Sequence, residues 1–345
     1  LTAGIPLGHL AGGTLVLIIL EGLVPNIHRR ALLGATASFA LAAPALAYPD
    51  RTVRIISGYP PGGLNDIICR AIAPSLTAVL GQPVVIENRG GANGSLGATA
   101  AARSAPDGHT LWMGIVDTQA INPYAYRNLA YDPDRDFAPI SLIGKFPFTL
   151  VVGPSKPNIR SFQDLINAAR PAADAITYAS WGVASTPHLA TERMVQQQGV
   201  RMLHVPFIGQ APAMQAILAG QVDCFALPAG GAESLTRGGS ARAVAVLAPA
   251  EVPLFPGVPT VKSFGVPLDS GLWKAIYAPA RTPAPIIAQL NAAVREAVKA
   301  PAFIEVMRQQ GAVPEPSTPE WLGEFQRSER VAWGEVVRSS NALVE

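Results

Sequence analysis

Cysteine is almost missing from this 345-residue chain, which carries only Cys69 and Cys224. Two are too few for a disulfide framework, and the spacing predicts two free, buried thiols acting as small hydrophobes. Charge is scarce as well: 14% of residues are charged and the net charge is +2. Such a balance leaves no electrostatic footprint for nucleic acid or for an anionic membrane surface. Long apolar runs are also lacking, since the stretch from Leu10 to Leu20 stops at Glu21 and falls short of a bilayer span. No C-x-x-C, H-E-x-x-H or clustered His/Cys spacing occurs, so nothing supports a metal. Neither a G-x-S-x-G elbow nor a G-x-x-x-x-G-K-[ST] loop appears, and the Gly91/Gly94/Gly97 spacing is not G-x-G-x-x-G. No catalytic residue and no cofactor is therefore expected.

What is present is apolar residues (49%), together with 32 glycines and 32 prolines. High apolar content with low net charge excludes disorder over most of the length, and 345 residues suffice for two lobes, each with its own core. The abundant glycine and proline favour short elements joined by tight turns.

The N-terminal part has the order of a secretory signal. The basic His28-Arg29-Arg30 precedes an apolar stretch from Ala31 to Leu46, and Ala45-Leu46-Ala47 supplies a small-x-small cleavage site before Tyr48-Pro49-Asp50. Cleavage is expected after Ala47, with translation starting near His28 and a membrane anchor in residues 1–27 as the alternative. The paired arginines loosely resemble a twin-arginine signal, so the export route stays open.

From Val53 onward, strand, small-residue loop and helix alternate. Val53–Ser57, Pro83–Glu87, Thr110–Val116, Ile140–Ile143 and Phe148–Val152 have strand character. Helices are expected over residues 67–80, ended by Gly81, and through the alanine-rich run to Ala105. The pattern then restarts with an N-cap at Ser161, a strand over Ile176–Ser180, a helix over His188–Gln198, and alternating elements to Leu227. Helices over 285–299, 302–310 and 319–338 close the chain. Alternation of this kind implies α/β lobes of mostly parallel sheet flanked by helices. The expected division is lobe 1 over residues 48–149 and 250–345 and lobe 2 over 150–249.

In open α/β sheets ligands sit beyond the carboxyl ends of the strands, where helix N-termini offer free amides and a favourable dipole to anions. Three loops have the small residues such a site needs. The first is Tyr59-Pro60-Pro61-Gly62-Gly63, in which Asn65 or Asp66 can cap the next helix; the others are Ser180–His188, with Gly182, Ser185 and Thr186, and Phe207-Ile208-Gly209-Gln210. A carboxylate could be held there without an arginine. Asp66 and Asp223 become a carboxylate pair only if the lobes bring them together.

In this order the motifs resemble the Bug family, the extracytoplasmic receptors of tripartite tricarboxylate transporters. The resemblance runs through Tyr48-Pro49-Asp50-Arg51, Pro61-Gly62-Gly63-x-x-Asp66, Val85-Ile86-Glu87-Asn88-Arg89, Pro106-Asp107-Gly108-His109-Thr110-Leu111, Tyr178-Ala179-Ser180, His204-Val205-Pro206, Gly220-Gln221-Val222-Asp223 and Ala278-Pro279-x-x-Thr282-Pro283. It covers residues 48–338. It implies a type II periplasmic-binding fold with an interlobe cleft, closing without catalysis over a small carboxylate. It further implies a periplasmic monomer serving membrane transporter subunits or a sensor kinase. Carried over, the ligand contacts are Tyr59, Pro61, Gly62, Gly63 and Asp66 in lobe 1. In lobe 2 they are Ser180, Gly182, Ser185, Thr186, His188, Phe207 and Asp223. Two departures bear on the ligand. The family's Ser-Gly-Asn-Gly-Thr-Ser reads Trp181-Gly182-Val183-Ala184-Ser185-Thr186, bulkier and less polar, and its Tyr-Lys-Gly reads Phe207-Ile208-Gly209. The competing readings are a secreted hydrolase or lyase using a cleft histidine and aspartate, and a scaffold that retained the fold without binding.

Overall fold

The computed structural model describes residues 48–266, 271–340 and 342–344; the expected signal segment and its cleavage site lie outside them. The β-branched run at Val53–Ser57 (β1) is followed by a helix, Leu64–Leu80 (α1), which Gly81 ends in the left-handed region as a C-cap. Then come Val84–Asn88 (β2), Ser95–Ala102 (α2) and Thr110–Ile115 (β3), the last buried at every position. A wide turn over Asp117–Ile121 runs into the short helix Asn122–Ala125 (α3). Phe137–Phe146 (β4) follows, and Pro147 alone separates it from Phe148–Val152 (β5).

The second run begins with Phe162–Ala169 (α4), where Ser161 and Asp164 form a reciprocal capping box. It continues through Thr177–Ser180 (β6), Thr186–Gln197 (α5), Leu203–Pro206 (β7), Gln210–Leu218 (α6) and Cys224–Pro228 (β8). Ala229–Thr236 (α7) and Arg242–Leu247 (β9) complete it. The chain returns along Leu272–Pro279 (β10) and ends in Ala284–Ala297 (α8), Pro301–Gln309 (α9) and Pro319–Ser340 (α10).

The two five-stranded sheets have one topology, β2-β1-β3-β10-β4 and β7-β6-β8-β5-β9. In each, four strands share a direction and a fifth, β10 or β5, runs against both neighbours. Those reversed strands belong to the crossings. The β4–β5 passage pairs with β10 in the first sheet and with β9 in the second, so two antiparallel chain segments connect the lobes. Local strand propensity does not reveal this reversal, because it is set by where the chain returns.

The return occurs later than the sequence suggests. Residues 250–266, expected in lobe 1, pack on the second sheet: Val246 donates its amide to Pro259 O at 2.9 Å, and Phe264 stacks on Phe162 with ring centroids 4.5 Å apart. The switch points of the two sheets, between β1 and β3 and between β6 and β8, face each other across a cleft. Cys69 and Cys224 are free and buried, on α1 and β8 respectively. Among the described residues no helix is long and apolar enough to cross a membrane.

Candidate functional site

Each lobe caps a helix of the other. The first amide of α5, on Thr186, donates to Asp117 Oδ1 at 3.1 Å, and the Thr186 hydroxyl donates to the same oxygen. Trp181 Nε1 donates to Asp117 Oδ2 at 2.7 Å, and the Tyr59 hydroxyl lies 3.4 Å from that oxygen. In return, the first amide of α1, on Leu64, donates to Gln210 Oε1 at 3.2 Å. Helix starts leave amides without intrahelical partners, and here the partners come from across the cleft.

Asp117 is wholly buried. Burial pushes its carboxyl above the usual carboxylate range, against the donors from Thr186 and Trp181 and the attraction of Lys274. Lys274 lies on β10, 1% exposed, with Nζ donating to Asn65 Oδ1 at 3.0 Å and standing 5.7 Å from the centre of the Phe146 ring. Desolvation pushes its ammonium down to about 7, although Cys69 and Asp117 pull the other way.

Two chambers occupy the cleft. The inner one, about 30 Å³, is bounded by Tyr59, Pro60, Pro61, Gly63, Leu64 and Asn65 on one side and by Trp181, Gln210 and Ala211 on the other, with Ile115, Leu272 and Lys274 as its floor. The outer one, about 360 Å³, is lined by the 91–94 loop, Tyr126 and Val344, and across the cleft by Gly182, Val183 and the 206–209 loop. Tyr59, Pro60 and Trp181 line both and form the constriction between them.

The residues singled out in the sequence fall into three groups. Tyr59, Pro61 and Gly63 border the inner chamber, and Gly182 and Phe207 the outer one. A second group stands behind the walls. Gly62 adopts φ +85° and spends its amide on Asp66 Oδ2 at 3.1 Å, so it faces no chamber. Asp66 is not the side-chain cap of α1, whose N-cap is Gly63; partial burial would raise its pKa, but Arg70, the Gly62 amide and Asn88 outweigh that and hold it below the usual range. Ser180 and Ser185 pin Gly182 O at 2.9 and 2.6 Å. Thr186 is taken by Asp117, and His188 Nδ1 accepts the Ala184 amide at 2.9 Å. Asp223 is misplaced as a site residue. It binds Ser155 and Thr177 at the far end of β6 from the cleft, so no Asp66–Asp223 pair exists.

Ser180 Oγ lies 2.6 Å from His204 Nε2, a contact resembling a nucleophile and base. Ser180 is fully buried and borders neither chamber, so no substrate carbonyl reaches it in this arrangement. Among the described residues no group of three or more potential metal ligands occurs.

Sequence reasoning missed Asp117, Gln210 as a trans-lobe cap, and Lys274. Lys274 had a signal, a single charge within the apolar run Leu272–Pro279, but the run was not recognised as a strand. Asp117 had none, because its partners lie 64 and 69 residues away.

With this geometry in place, comparison with known proteins is decisive. The sequence model described as tripartite tricarboxylate transporter family receptor matches residues 68–342. The chain belongs to that family. Among its relatives, the protein BugT of Bordetella pertussis is 34% identical over 315 residues, spanning 90% of this chain and 96% of BugT. Of solved structures, MatC from Rhodopseudomonas palustris with bound malate superposes with a TM-score of 0.79 at 34% identity, over 84% of this chain and all of MatC. R. palustris Rpa4515 with adipate gives 0.82 at 30% identity, over 86% of this chain and all of Rpa4515. This family receptor therefore has the two-lobed fold of periplasmic binding proteins.

Proposed function

We propose that this family receptor is an exported solute-binding protein that captures a small carboxylate by closing its lobes and delivers it to membrane transporter subunits or to a sensor. The observation that carries the reading is the meeting of two helix starts at the inner chamber, that of α1 at Gly63, Leu64 and Asn65 and that of α6 at Gln210 and Ala211. Two helix N-termini converge on one enclosed space, and such termini favour negative charge. The lobes are joined through two antiparallel crossings, a connection suited to hinge closure. The malate and adipate carried by its relatives are of the matching chemical class. Export with cleavage after Ala47, a monomeric state and the absence of catalysis belong to the same reading. Thermal-shift screening of the purified protein against carboxylic acids, followed by calorimetry on the best hits, tests it. A carboxylate binding with a micromolar Kd and unchanged by incubation supports the reading. Turnover of the acid, or no response across the panel, overturns it.

A further inference from the structure

We infer that Lys274 is the direct counter-ion of the ligand's carboxylate and that the site selects an acid with one carboxylate and an apolar body. The inference rests on the receptor reading above and deepens it.

Three observations carry it. First, Lys274 is 1% exposed and borders the inner chamber, yet among the described residues its ammonium, which has three donors, hydrogen-bonds only to Asn65 Oδ1. A buried ammonium with unused donors is costly unless an anion completes it. The inner chamber, at about 30 Å³, has room for about two water-sized groups, the size of a carboxylate's two oxygens. Second, one anion-favouring position in the cleft is already filled: the N-terminus of α5 holds the receptor's own Asp117 carboxylate, with donors from Thr186 and Trp181. A second ligand carboxylate aimed there would meet a like charge. Third, among the described residues no basic side chain lines the outer chamber, whose second-lobe wall carries Val183, Phe207 and Ile208, the last 76% exposed. With Tyr59, Pro60 and Trp181 at the constriction, the path outward from Lys274 suits a flat or aliphatic body, and a second carboxylate would meet there only the helix starts at Gly94 and Gly209 and no basic side chain.

Matched pairs of acids test this, each pair sharing a carbon skeleton and differing by one carboxylate: hexanoate against adipate, and 4-methylbenzoate against terephthalate. Calorimetry on the intact receptor should show the monoacid binding at least tenfold more tightly in each pair. The Lys274→Met variant, which keeps the side chain's length, should bind the monoacids about 10- to 100-fold more weakly, the loss of one charge-assisted contact. The Asp117→Ser variant vacates the α5 terminus and should gain affinity for adipate relative to hexanoate, a change that misfolding cannot produce. Proton uptake gives an independent readout. Lys274 is faced by Cys69 and Asn65 from α1, by Asp117 after β3, and by the uncharged Trp181 and Gln210 from lobe 2. Cys69, pushed up to about 12 by burial, stays neutral. At pH 8 monoacid binding should therefore take up a fraction of a proton, and Lys274→Met should abolish that uptake. If neither acid of any pair binds, the receptor reading itself fails. If the diacids bind more tightly and Lys274→Met binds as wild type, this inference fails while the receptor reading stands.

Discussion

The Asp117 carboxylate of the first lobe takes the Thr186 amide of the second at 3.1 Å, with both residues wholly buried. One bond thus ties the turn after β3 to the start of α5 and makes the helix terminus of one lobe depend on the position of the other. Hinge closure in this receptor is therefore coupled to helix capping, in which a partner is worth about 1 kcal/mol.

Asp117→Ala should loosen the closed form. It strips a partner from the Thr186 amide, the Thr186 hydroxyl and Trp181 Nε1, and buried donors left unpaired cost about 1–3 kcal/mol each. Opening readmits water and limits the loss, so the variant should melt several degrees lower and show a larger radius of gyration by small-angle scattering. A wild-type melting point together with a wild-type radius would show that the clasp carries no energy.

Two buried histidines should make stability fall as the pH drops below about 6.5, before the carboxylates with lowered pKa values titrate. His188 and His204 stack with ring centroids 3.9 Å apart, and burial pushes them down to about 4 and about 3, His188 adding to the shift of His204. In the unfolded chain both titrate near 6.5. Above that pH both states are neutral and stability is full. Between it and the folded values the unfolded chain binds protons that the native state refuses, costing about 1.4 kcal/mol per pH unit per histidine. Urea midpoints between pH 7 and pH 4 should show this slope, and a His188→Gln, His204→Gln double variant should lose most of it. Asp66, Asp107, Asp136 and Asp164, whose pKa values are lowered, weaken the fold only further down, as pH falls through the carboxylate range.

Much of the fold was legible because local chemistry decides it. The β1 strand, the C-cap at Gly81 and the capping box at Ser161 and Asp164 follow from residue type and spacing. The crossing strand β10 was not legible: its pattern is buried on both faces, so it lacks the alternation that marks a half-exposed strand. The loops of the site were found because small residues at strand ends are a local signal. Which atoms face the chambers was not, since backbone amides can be consumed locally, as Gly62 spends its own on Asp66. The motif Gly220-Gln221-Val222-Asp223 misled for a related reason. It marks a position by its neighbours in sequence, whereas the end of β8 on which Asp223 falls is settled only by pairing with β6.

Asp223→Ala should therefore damage the fold and spare the ligand. The carboxylate accepts from the Ser155 hydroxyl at 2.7 Å and from the Thr177 amide at 2.8 Å, both away from the chambers. Losing these partners should cost about 1–3 kcal/mol in denaturant unfolding. Affinity for whichever acid the screen identifies should stay within about twofold of wild type, a shift of ~0.4 kcal/mol. A tenfold loss of affinity in a variant that remains folded would return Asp223 to the site.

Two glycines should separate strain from closure. Gly62 has φ +85° with open space where a Cβ would stand, so Gly62→Ala meets no neighbour and pays only for its left-handed backbone, about 1–2 kcal/mol. Gly209 has φ +100°, and a Cβ there would come within 3.2 Å of Pro60 Cδ on the opposite lobe. Gly209→Ala carries a larger strain, since φ +100° with ψ 170° is conformational space that essentially only glycine occupies, and adds a contact that exists only when the lobes meet. In the absence of ligand Gly209→Ala should therefore lose more stability than Gly62→Ala. Only Gly209→Ala should bind the acid more weakly, because its added contact opposes the closed state alone, and a clash of ~1–2 kcal/mol corresponds to about 5- to 30-fold in Kd. Equal affinities in the two variants would mean that the lobes can close without bringing Gly209 against Pro60.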